Sequence, residues 1–354
     1  MNSMKVADKL MKEHGFKLKG TGPISYHLGC DFFRDQDGTL CMTPKTYIHW
    51  ISNNYEKLFG VKPKQSYSLP MEKADHPELN DTEELGPEDM KKYQSLIGTL
   101  QWAVSIGRFN IATAVMTMSK FRSAPKSGHL SRVRRIVGYL TKMKHGVVRF
   151  RVGKPDLSSL DDIEYGWERT IYRKVSEIIP PDCPKPLGDP VVMTTYVDAN
   201  LMHDVTTGRS VTGILHLLNK TPIEWYTKCQ PTVETATYRA EFMAARTATE
   251  QIMDLRTTLR YLGVNLEGPT YLFRDNRTVV DSCAIPKAKL HKRHVLLSFH
   301  RVREAIAARI LRFFHIPGSM NPADILSKAW GYSNIQGMLK ALLFWEGDTG
   351  LLLG

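Results

Sequence analysis

Alternating hydrophobic and polar positions near the start of the chain predict a β-hairpin followed by a helix. Residues 23–42 alternate on either side of Asp37, which precedes a glycine in the manner of a tight hairpin turn. Apolar residues then recur at helical spacing up to Gly60, a typical stop residue, with Thr43 as the expected N-cap. The pattern predicts one hairpin and one helix in this region.

Helical periodicity dominates from Pro87 to Lys144. Breaks at residues 107–110 and 125–128 divide it into three predicted helices joined by short turns. Residues 152–190 differ from this pattern, because they are acidic overall, contain six prolines and show little sustained periodicity. We interpret them as a linker or insertion between two domains.

The pattern after the linker predicts strands and helices in the order βββαβαβα. This order indicates a mixed α/β (α+β) domain in which helices pack on a mixed five-stranded sheet. The predicted elements are strands at 191–198, 210–218 and 221–229, a long helix at 236–262, a strand at 270–275, a helical region to residue 308, a strand at 310–316 and a last helix opened by Asn321.

Composition supports a globular intracellular chain of about two domains. The sequence has 354 residues, 42% of them hydrophobic, and domains average about 150 residues. Its five cysteines are scattered without a CxxC pair, which favours a reducing compartment. The first twenty residues are charged throughout, and no apolar run approaches the ~18 residues of a membrane span. We therefore expect neither secretion nor a membrane partner.

The net charge of +12 is concentrated in the first half of the chain. Residues 101–150 contain ten Lys or Arg and no Asp or Glu, which favours a polyanionic partner such as nucleic acid over a merely solvated basic face. The candidate phosphate-binding residues are Lys120, Arg122, Lys126, Arg132, Arg134, Arg135, Lys142 and Lys144.

Four carboxylates in the last third of the chain are candidate metal ligands. Asp198 and Asp275 follow apolar strands, Glu241 lies on the long helix, and Asp324 begins the last helix. Each alone could be a helix cap or a solvated side chain. Together they could bind two divalent cations, which need several convergent carboxylates. The set predicts a two-metal nuclease.

Several motifs resemble the RNase H domain of copia-type LTR retrotransposon Pol polyproteins. They are YVDAN, GRSVTG, IEWYTKCQPTVETATYRAEFMAA, DN, HKRHVLLSFHRVRE and ADILSK, in this order between residues 192 and 330. Upstream, LGCDFFRDQDGTL, KYQSLIGTLQWAV and FRSAPKSGHLSRVRRIVGYL resemble the thumb and connection segment of the reverse transcriptase in the same polyproteins. The resemblance implies a thumb/connection module at 1–151, a linker at 152–190, an RNase H-like domain at 191–332 and a tail at 333–354.

The resemblance also implies an activity, a cofactor and partners. The chain would hydrolyse the RNA strand of an RNA/DNA hybrid, with Asp198, Glu241, Asp275 and Asp324 as catalytic ligands of two Mg²⁺ ions, or alternatively Mn²⁺. The expected partners are the hybrid and the rest of Pol, supplied in cis or in trans. The expected location is a cytoplasmic virus-like particle or the nucleus.

The sequence departs from the family pattern at several positions. The loop before the last helix lacks the histidine that many RNase H enzymes carry, and we do not assign its role to His315, which we expect to face inward. Asn110 and Asn200 replace acidic residues common in the family. No YxDD motif occurs, so we expect no polymerase activity and interpret the sequence as the C-terminal portion of a longer Pol.

Two other functional classes remain open. One is a catalytically silent retrotransposon relic, or a module that only binds nucleic acid. The other is a DDE-type integrase core, which takes its third acid from a late helix, where Glu304 is the candidate; Glu241 and Asp324 argue against it.

Two further residue sets favour structural roles over functional ones. A zinc site built from Cys283, His291, His294 and His300 has irregular spacing, which is more typical of surface histidines. The aromatic residues Trp102, Phe109 and Phe121 could stack on bases, but their helical spacing favours core packing.

Overall fold

The first half of the chain is a small antiparallel sheet packed against helices. The structure is a computed structural model, and it describes residues 23–160, 165–234, 236–290, 295–328 and 342–345. The elements of this half are β1 (Tyr26–His27), β2 (Cys30–Arg34), β3 (Leu40–Thr43), α1 (Lys45–Phe59), α2 (Pro87–Ser105), α3 (Ala112–Ser119), α4 (Ser127–Lys142) and β4 (Gly146–Arg149).

The predicted hairpin and the helix after it are both present, but the helix starts without the predicted cap. β2 pairs antiparallel with β3, and Gly38 takes the positive φ of 80° that the turn requires. Thr43 ends β3, and its hydroxyl donates to the backbone carbonyl of Gly146 at 2.9 Å, so Pro44 occupies the N-cap position without a side-chain bond. Gly60 ends α1 in the left-handed conformation, as predicted.

The three predicted helices between Pro87 and Lys144 are confirmed, whereas β4 was not predicted. Their apolar faces meet in one core with the inner face of α1, through side chains such as Ile48, Tyr93 and Val137. β4 pairs antiparallel with β3 and is buried on both sides. Four residues are too few for a period-2 pattern to register, which explains why the strand escaped prediction.

The second half of the chain contains the mixed five-stranded sheet. Its elements are β5 (Leu187–Val191), β6 (Met193–Asn200), β7 (Arg209–Leu218), β8 (Thr221–Val233), α5 (Thr237–Tyr261), β9 (Val264–Leu266), β10 (Thr270–Arg274), α6 (Arg277–Ala284), α7 (Leu296–Ala307), β11 (Leu311–His315) and α8 (Asp324–Ser327), and β12 (Phe344–Trp345) returns to pair with β4.

The order of these strands in space places β6 at the centre of the sheet. The spatial order is β11, β10, β6, β7, β8; β10 runs parallel to both β6 and β11, whereas β7 runs antiparallel to β6 and β8. The predicted order βββαβαβα is confirmed, with the helical region split into α6 and α7. β5 and β9 form an additional two-stranded parallel sheet that was not predicted.

Helix α5 covers one face of the central strands. Small residues on its buried side, including Ala240, Ala244 and Ala248, lie in the same core as Val197 and Ile214. Because alanines present little bulk, the helix can lie close to the sheet, and Glu241 is carried into the interior beside β6 and β10.

A third core joins the two halves of the chain. Phe109 from the first half packs at a tilt against Trp225 of β8 with ring centroids 5.1 Å apart, and the Trp225 indole N–H donates to the carbonyl of Val104 at 2.8 Å. Thr113 on α3 donates to the carbonyl of Ile325 on α8 at 3.2 Å. These contacts place the first half directly beside the helix that carries Asp324.

The segment between the halves follows the surface of the second one. Glu177 binds both Arg256 and Arg260 on α5 at 2.6–2.9 Å, and the hydroxyl of Tyr172 lies 2.6 Å from the Nδ1 atom of His300 on α7. We call residues 165–182 the strap. The strap is held by individual polar and aromatic contacts, which leave no periodic pattern of apolar residues in the sequence. This explains why the segment resembled a linker.

Candidate active site

Asp198 and Asp324 meet at the end of β6 because a glycine lets α8 approach the sheet. Asp198 pairs across β6 and β7 with Gly213, and a Cβ atom on that glycine would lie 2.7 Å from the carbonyl oxygen of Ala323. Only a residue without a side chain permits this approach. Both aspartates are buried, and Ser327 on α8 donates its hydroxyl to Asp198.

Lys328 supplies a positive charge to these two carboxylates. Its Nζ atom contacts Asp324 Oδ1 and lies 3.5 Å from Asp198 Oδ2. Burial raises the pKa of Asp324, and the negative charge of Asp198 raises it further. The ion pair with Lys328 lowers it, and the resulting pKa is about 6. Two carboxylates thus share one ammonium group in a partly dry environment.

Asp275 faces the same ammonium group from the end of β10. The charges of Asp198, Asp324 and Asp275 all raise the pKa of Lys328, against the lowering effect of burial. A Cβ atom on Gly318 would lie 3.2 Å from Asp275 Oδ2, so the turn before α8 passes close to this carboxylate. Two of the four predicted carboxylates, Asp198 and Asp324, therefore contact Lys328, and the charge of Asp275 acts on the same lysine.

His315 lies beside Asp275, which corrects the expectation that it faces inward. Its side chain is exposed at the end of β11, and its Nε2 atom lies 3.1 Å from the backbone carbonyl of Asp275. His315 shares the face of Leu311 and Phe313, but it is the last residue of β11 and lies beyond the core that those two side chains fill.

Glu241 is oriented towards this edge of the sheet but is paired with an arginine. Its carboxylate forms an ion pair with the guanidinium of Arg274, the last residue of β10, which also donates to the backbone carbonyl of Glu241 at 2.5 Å. Arg274 is fully buried, which lowers its pKa to about 10 while the charges of Asp198 and Asp275 raise it. This guanidinium neutralises the glutamate in the present arrangement.

The donor atoms fit a hard divalent cation at three of the four positions. Asp198, Asp275 and Asp324 supply carboxylate oxygens, the ligands that Mg²⁺ prefers, and all three interact with a side-chain cation. Glu241 would join them only after its pair with Arg274 opens. In the part of the chain that the structure describes, no group of three His, Cys, Asp or Glu side chains is already arranged to hold a metal ion.

The first half of the chain borders this site. A cavity of about 320 Å³ lies next to Lys328, between residues 71–76 of the first half and the loop that follows β6. In that loop, His203 lies 2.9 Å from the hydroxyl of Thr117, and burial lowers its pKa to about 4, with help from the charge of Lys120. The cavity beside Lys328 is therefore lined by residues from both halves of the chain.

Many of the predicted phosphate-binding residues are engaged within the protein. Arg132 forms a bidentate pair with Asp75 at 2.7 Å, Arg135 binds Glu72 at 2.5 Å, and Lys120 binds Asp204 at 3.1 Å. The other contacts are Lys126 to the carbonyl of Asn80, Arg122 to the carbonyl of Ser119, and Arg134 over the ring of Phe59. Lys142 is exposed and Lys144 half-buried, and neither has an ion pair with any residue that the structure describes.

The predicted basic surface is thus partly neutralised by acids that are distant in sequence. Glu72 and Asp75 come from the loop before α2, and Asp204 comes from the second half. The basic stretch of sequence could not reveal these acidic partners, because the pairing depends on how the chain folds back on itself. The use of these residues for phosphate remains a prediction.

The aromatic set and the cysteine–histidine set, for which the sequence favoured structural roles, are mostly part of the protein interior where the structure describes them. Phe109 is in the core and Phe121 stacks on His129, but Trp102 is 42% exposed, since it lies on the outer face of α2. Cys283 is fully buried, which raises the pKa of its thiol. His291 and His294 lie outside the described residues, so the proposed zinc set is described only at Cys283 and His300.

Sequence reasoning missed Lys328 and Arg274, the two cations of the site. Lys328 stands four residues after Asp324, a spacing that places both on one helical face and could have suggested the pair. Arg274 is a charged residue in an otherwise apolar strand, and such a residue needs a buried partner. Both signals were present in the sequence but were not used.

The chain is similar over most of its length to Pol polyproteins of transposons. It is 25% identical over 320 residues to the retrovirus-related Pol polyprotein from transposon TNT 1-94 of Nicotiana tabacum, which covers 88% of this chain and 21% of that protein. It is 24% identical over 313 residues to the corresponding polyprotein from transposon RE1 of Arabidopsis thaliana, covering 88% of this chain and 18% of the relative. The chain therefore spans about a fifth of the length of these relatives.

Among solved structures, the chain is similar to LC11-RNase H1, which was crystallised in complex with an RNA/DNA hybrid. The identity is 19%, the TM-score is 0.31, and the match covers 38% of this chain and 92% of that protein. No protein-family profile matches the chain. None of the described helices has the length and apolar character needed to span a membrane.

Proposed function

We propose that this homologue of the copia-type Pol polyproteins of plant transposons is their RNase H portion, which hydrolyses the RNA strand of an RNA/DNA hybrid. The observation that carries the proposal is that Asp198 and Asp324 are buried together at the end of β6, both within 3.5 Å of the Nζ atom of Lys328. Burying several carboxylates together costs free energy, so the arrangement is expected where it binds cations.

The aspartates would hold divalent cations at the position where the ammonium group of Lys328 now partly neutralises their charge. Asp198 and Asp324 would share one ion from the two sides of the β6 end, and Asp275 would face it from β10. Bound Mg²⁺ would lower the pKa of a water molecule and stabilise charge on the scissile phosphate. Ser327 fixes the orientation of Asp198 through its hydroxyl.

Two other groups would adjust the charge of the site. Glu241, which forms an ion pair with Arg274, would become a fourth ligand when Arg274 releases it. The exposed Lys142 and half-buried Lys144 are candidates for contacts with the phosphate backbone. Selection of a hybrid over duplex DNA would come from groove shape and the 2′-hydroxyl groups.

A cleavage assay with a matched pair of variants tests this proposal. The wild-type chain should cleave the RNA strand of a labelled hybrid only when Mg²⁺ or Mn²⁺ is present. Asp198→Asn should reduce the rate at least about 100-fold, because it removes a charged ligand worth several kcal/mol to the transition state. Asp254→Asn is the control, since Asp254 is exposed on α5.

The second candidate function is binding of nucleic acid without cleavage. The observation in its favour is that Lys328 and Arg274 already neutralise three of the carboxylates, Asp198, Asp324 and Glu241. An intact hybrid at all protein and Mg²⁺ concentrations, together with measurable binding of that hybrid, would select this function over the nuclease.

A further inference from the structure

The two cations of the candidate active site differ in how easily a metal ion could displace them. The side chain of Lys328 is 38% exposed, so it can turn into solvent and leave the space beside Asp198 and Asp324 to a divalent cation. The side chain of Arg274 is fully buried, so its charged group would have to cross the protein interior to do the same. We therefore expect a metal ion to replace the lysine but not the arginine.

Both the backbone and the side chain of Arg274 are held in place. Strand β10 pairs with β6 on one side and with β11 on the other, and the pairing with β11 includes Arg274 itself. From this strand the guanidinium reaches α5, where it donates to the backbone carbonyl of Glu241 at 2.5 Å and forms an ion pair with the Glu241 carboxylate. Opening a buried ion pair leaves an uncompensated charge in the interior, which is unfavourable. The guanidinium is therefore a fixed part of the site.

Arg274 also acts on the carboxylates that a second metal ion would need. Burial lowers the pKa of Arg274 to about 10, and the negative charges of Asp198 and Asp275 raise it. The guanidinium therefore stays protonated at neutral pH, and its charge acts on these two aspartates as well as on Glu241. It would repel a divalent cation placed beside it, and a buried environment screens such repulsion weakly.

We propose that Arg274 takes the place of a second metal ion, so that the site binds one divalent cation, beside Asp198 and Asp324, and not two. This inference rests on the proposed function for its choice of a metal-binding site, but it concerns the number of ions, which can be counted without any cleavage. Glu241 then serves as the partner of Arg274 in the wild-type chain, and the aspartates alone hold the metal.

Counting bound Mn²⁺ tests the proposal in the absence of nucleic acid. Electron paramagnetic resonance measures free Mn²⁺ during a titration, and the wild-type chain should bind one ion. Arg274→Met removes the guanidinium and frees Glu241, so this variant should bind two ions. Adding Glu241→Gln to Arg274→Met should return the count to one, because the second ion depends on the glutamate.

Two further variants complete the experiment. Arg274→Gln keeps a side chain that can form a hydrogen bond with Glu241, and it should also admit a second ion if Arg274→Met fails to fold. Arg108→Met is the matched control, since Arg108 is likewise fully buried with its pKa lowered to about 10, but its Nε atom donates to the neutral side chain of Asn110. The control should bind one ion. Thermal unfolding of each variant verifies folding.

The outcomes distinguish this inference from the proposed function. Two ions in the wild type, one ion in every folded Arg274 variant, or a second ion in Arg108→Met would overturn the role of Arg274 even if the hybrid is cleaved. A second ion that appears when Arg274 is replaced and disappears with Glu241→Gln supports it even if no cleavage occurs. A wild-type chain that binds no Mn²⁺ would overturn both.

Discussion

Single side chains in the carboxylate site compensate charges that the fold has buried. Lys328 neutralises Asp198 and Asp324, and Arg274 neutralises Glu241. A bound divalent cation would reduce the need for Lys328, because both kinds of cation satisfy the same oxygens. Metal binding and protein stability should therefore be linked through this one lysine.

Replacing Lys328 by Met tests this linkage. In EDTA the variant should unfold at a lower temperature than the wild type, because Asp198 and Asp324 lose their partner and repel each other. Adding Mg²⁺ should then raise its unfolding temperature more than it raises that of the wild type. Differential scanning fluorimetry with and without Mg²⁺ measures both effects.

Lys228→Met is the matched control, since Lys228 is exposed on β8. It should leave the Mg²⁺ response unchanged. An unfolding temperature of Lys328→Met that does not respond to Mg²⁺ would argue against a metal site between these two aspartates.

Among the elements, the strap is attached to helix α5 by one buried cluster of charged side chains. Glu177 accepts hydrogen bonds from Arg256 and Arg260 of α5, and Arg256 is itself nearly inaccessible to solvent. Burial alone would raise the pKa of Glu177, but the two arginines outweigh this effect and lower the pKa to about 2. The strap is therefore attached to α5 through an ionised carboxylate.

The attachment should weaken in acid. The pKa of Glu177 is lower in the folded than in the unfolded chain, so its stabilisation is complete above pH about 4.5 and is lost as the pH falls through about 2. At pH 7, Glu177→Gln should lower the free energy of unfolding by about 2 kcal/mol. Urea unfolding at pH 7 and at pH 3 should show the gap between wild type and variant narrowing in acid.

The comparison variant is Glu250→Gln, whose glutamate forms an exposed pair with Arg246. Its effect should stay below about 0.5 kcal/mol at both pH values. A pH-independent difference for Glu177→Gln would mean that the strap is held by its aromatic contacts, such as Trp167 over Arg303, rather than by this charge.

For the molecule as a whole, the core around Trp225 couples the two halves. Trp225 packs at a tilt against Phe109 and donates to Val104, while α3 and α8 are linked through Thr113 and Ile325. Because apolar side chains from both halves share this core, neither half can unfold without exposing part of the other. We expect one cooperative unfolding transition.

Trp225→Ala should separate the halves. Removing the indole creates a cavity and takes one donor from the Val104 carbonyl, which also accepts from the backbone N–H of Gly107, at a cost of about 3–5 kcal/mol. Scanning calorimetry should then show two transitions in place of one. In the control Trp50→Ala, which removes a largely exposed ring, the single transition should remain. A single transition in both variants would contradict the coupling.

Much of the fold could be predicted from periodicity, since long elements repeat their signal many times. Helices α1 to α5 and the five-stranded order follow from apolar spacing and from stop residues such as Gly60. The short strands β4, β5 and β9 could not be predicted, because three to five residues carry too little pattern. The same limit applies to the strap, whose contacts are individual ion pairs and ring contacts.

The amino-acid sequence alone determined the identity of the candidate ligands, the order of elements that carries them and the resemblance to retrotransposon Pol polyproteins, because these are properties of local spacing. Tertiary structure alone decided that Lys328 and Arg274 neutralise those ligands and that acids from distant loops neutralise much of the basic stretch. The physical reason is that electrostatic partners are chosen by distance in space, which local spacing does not specify.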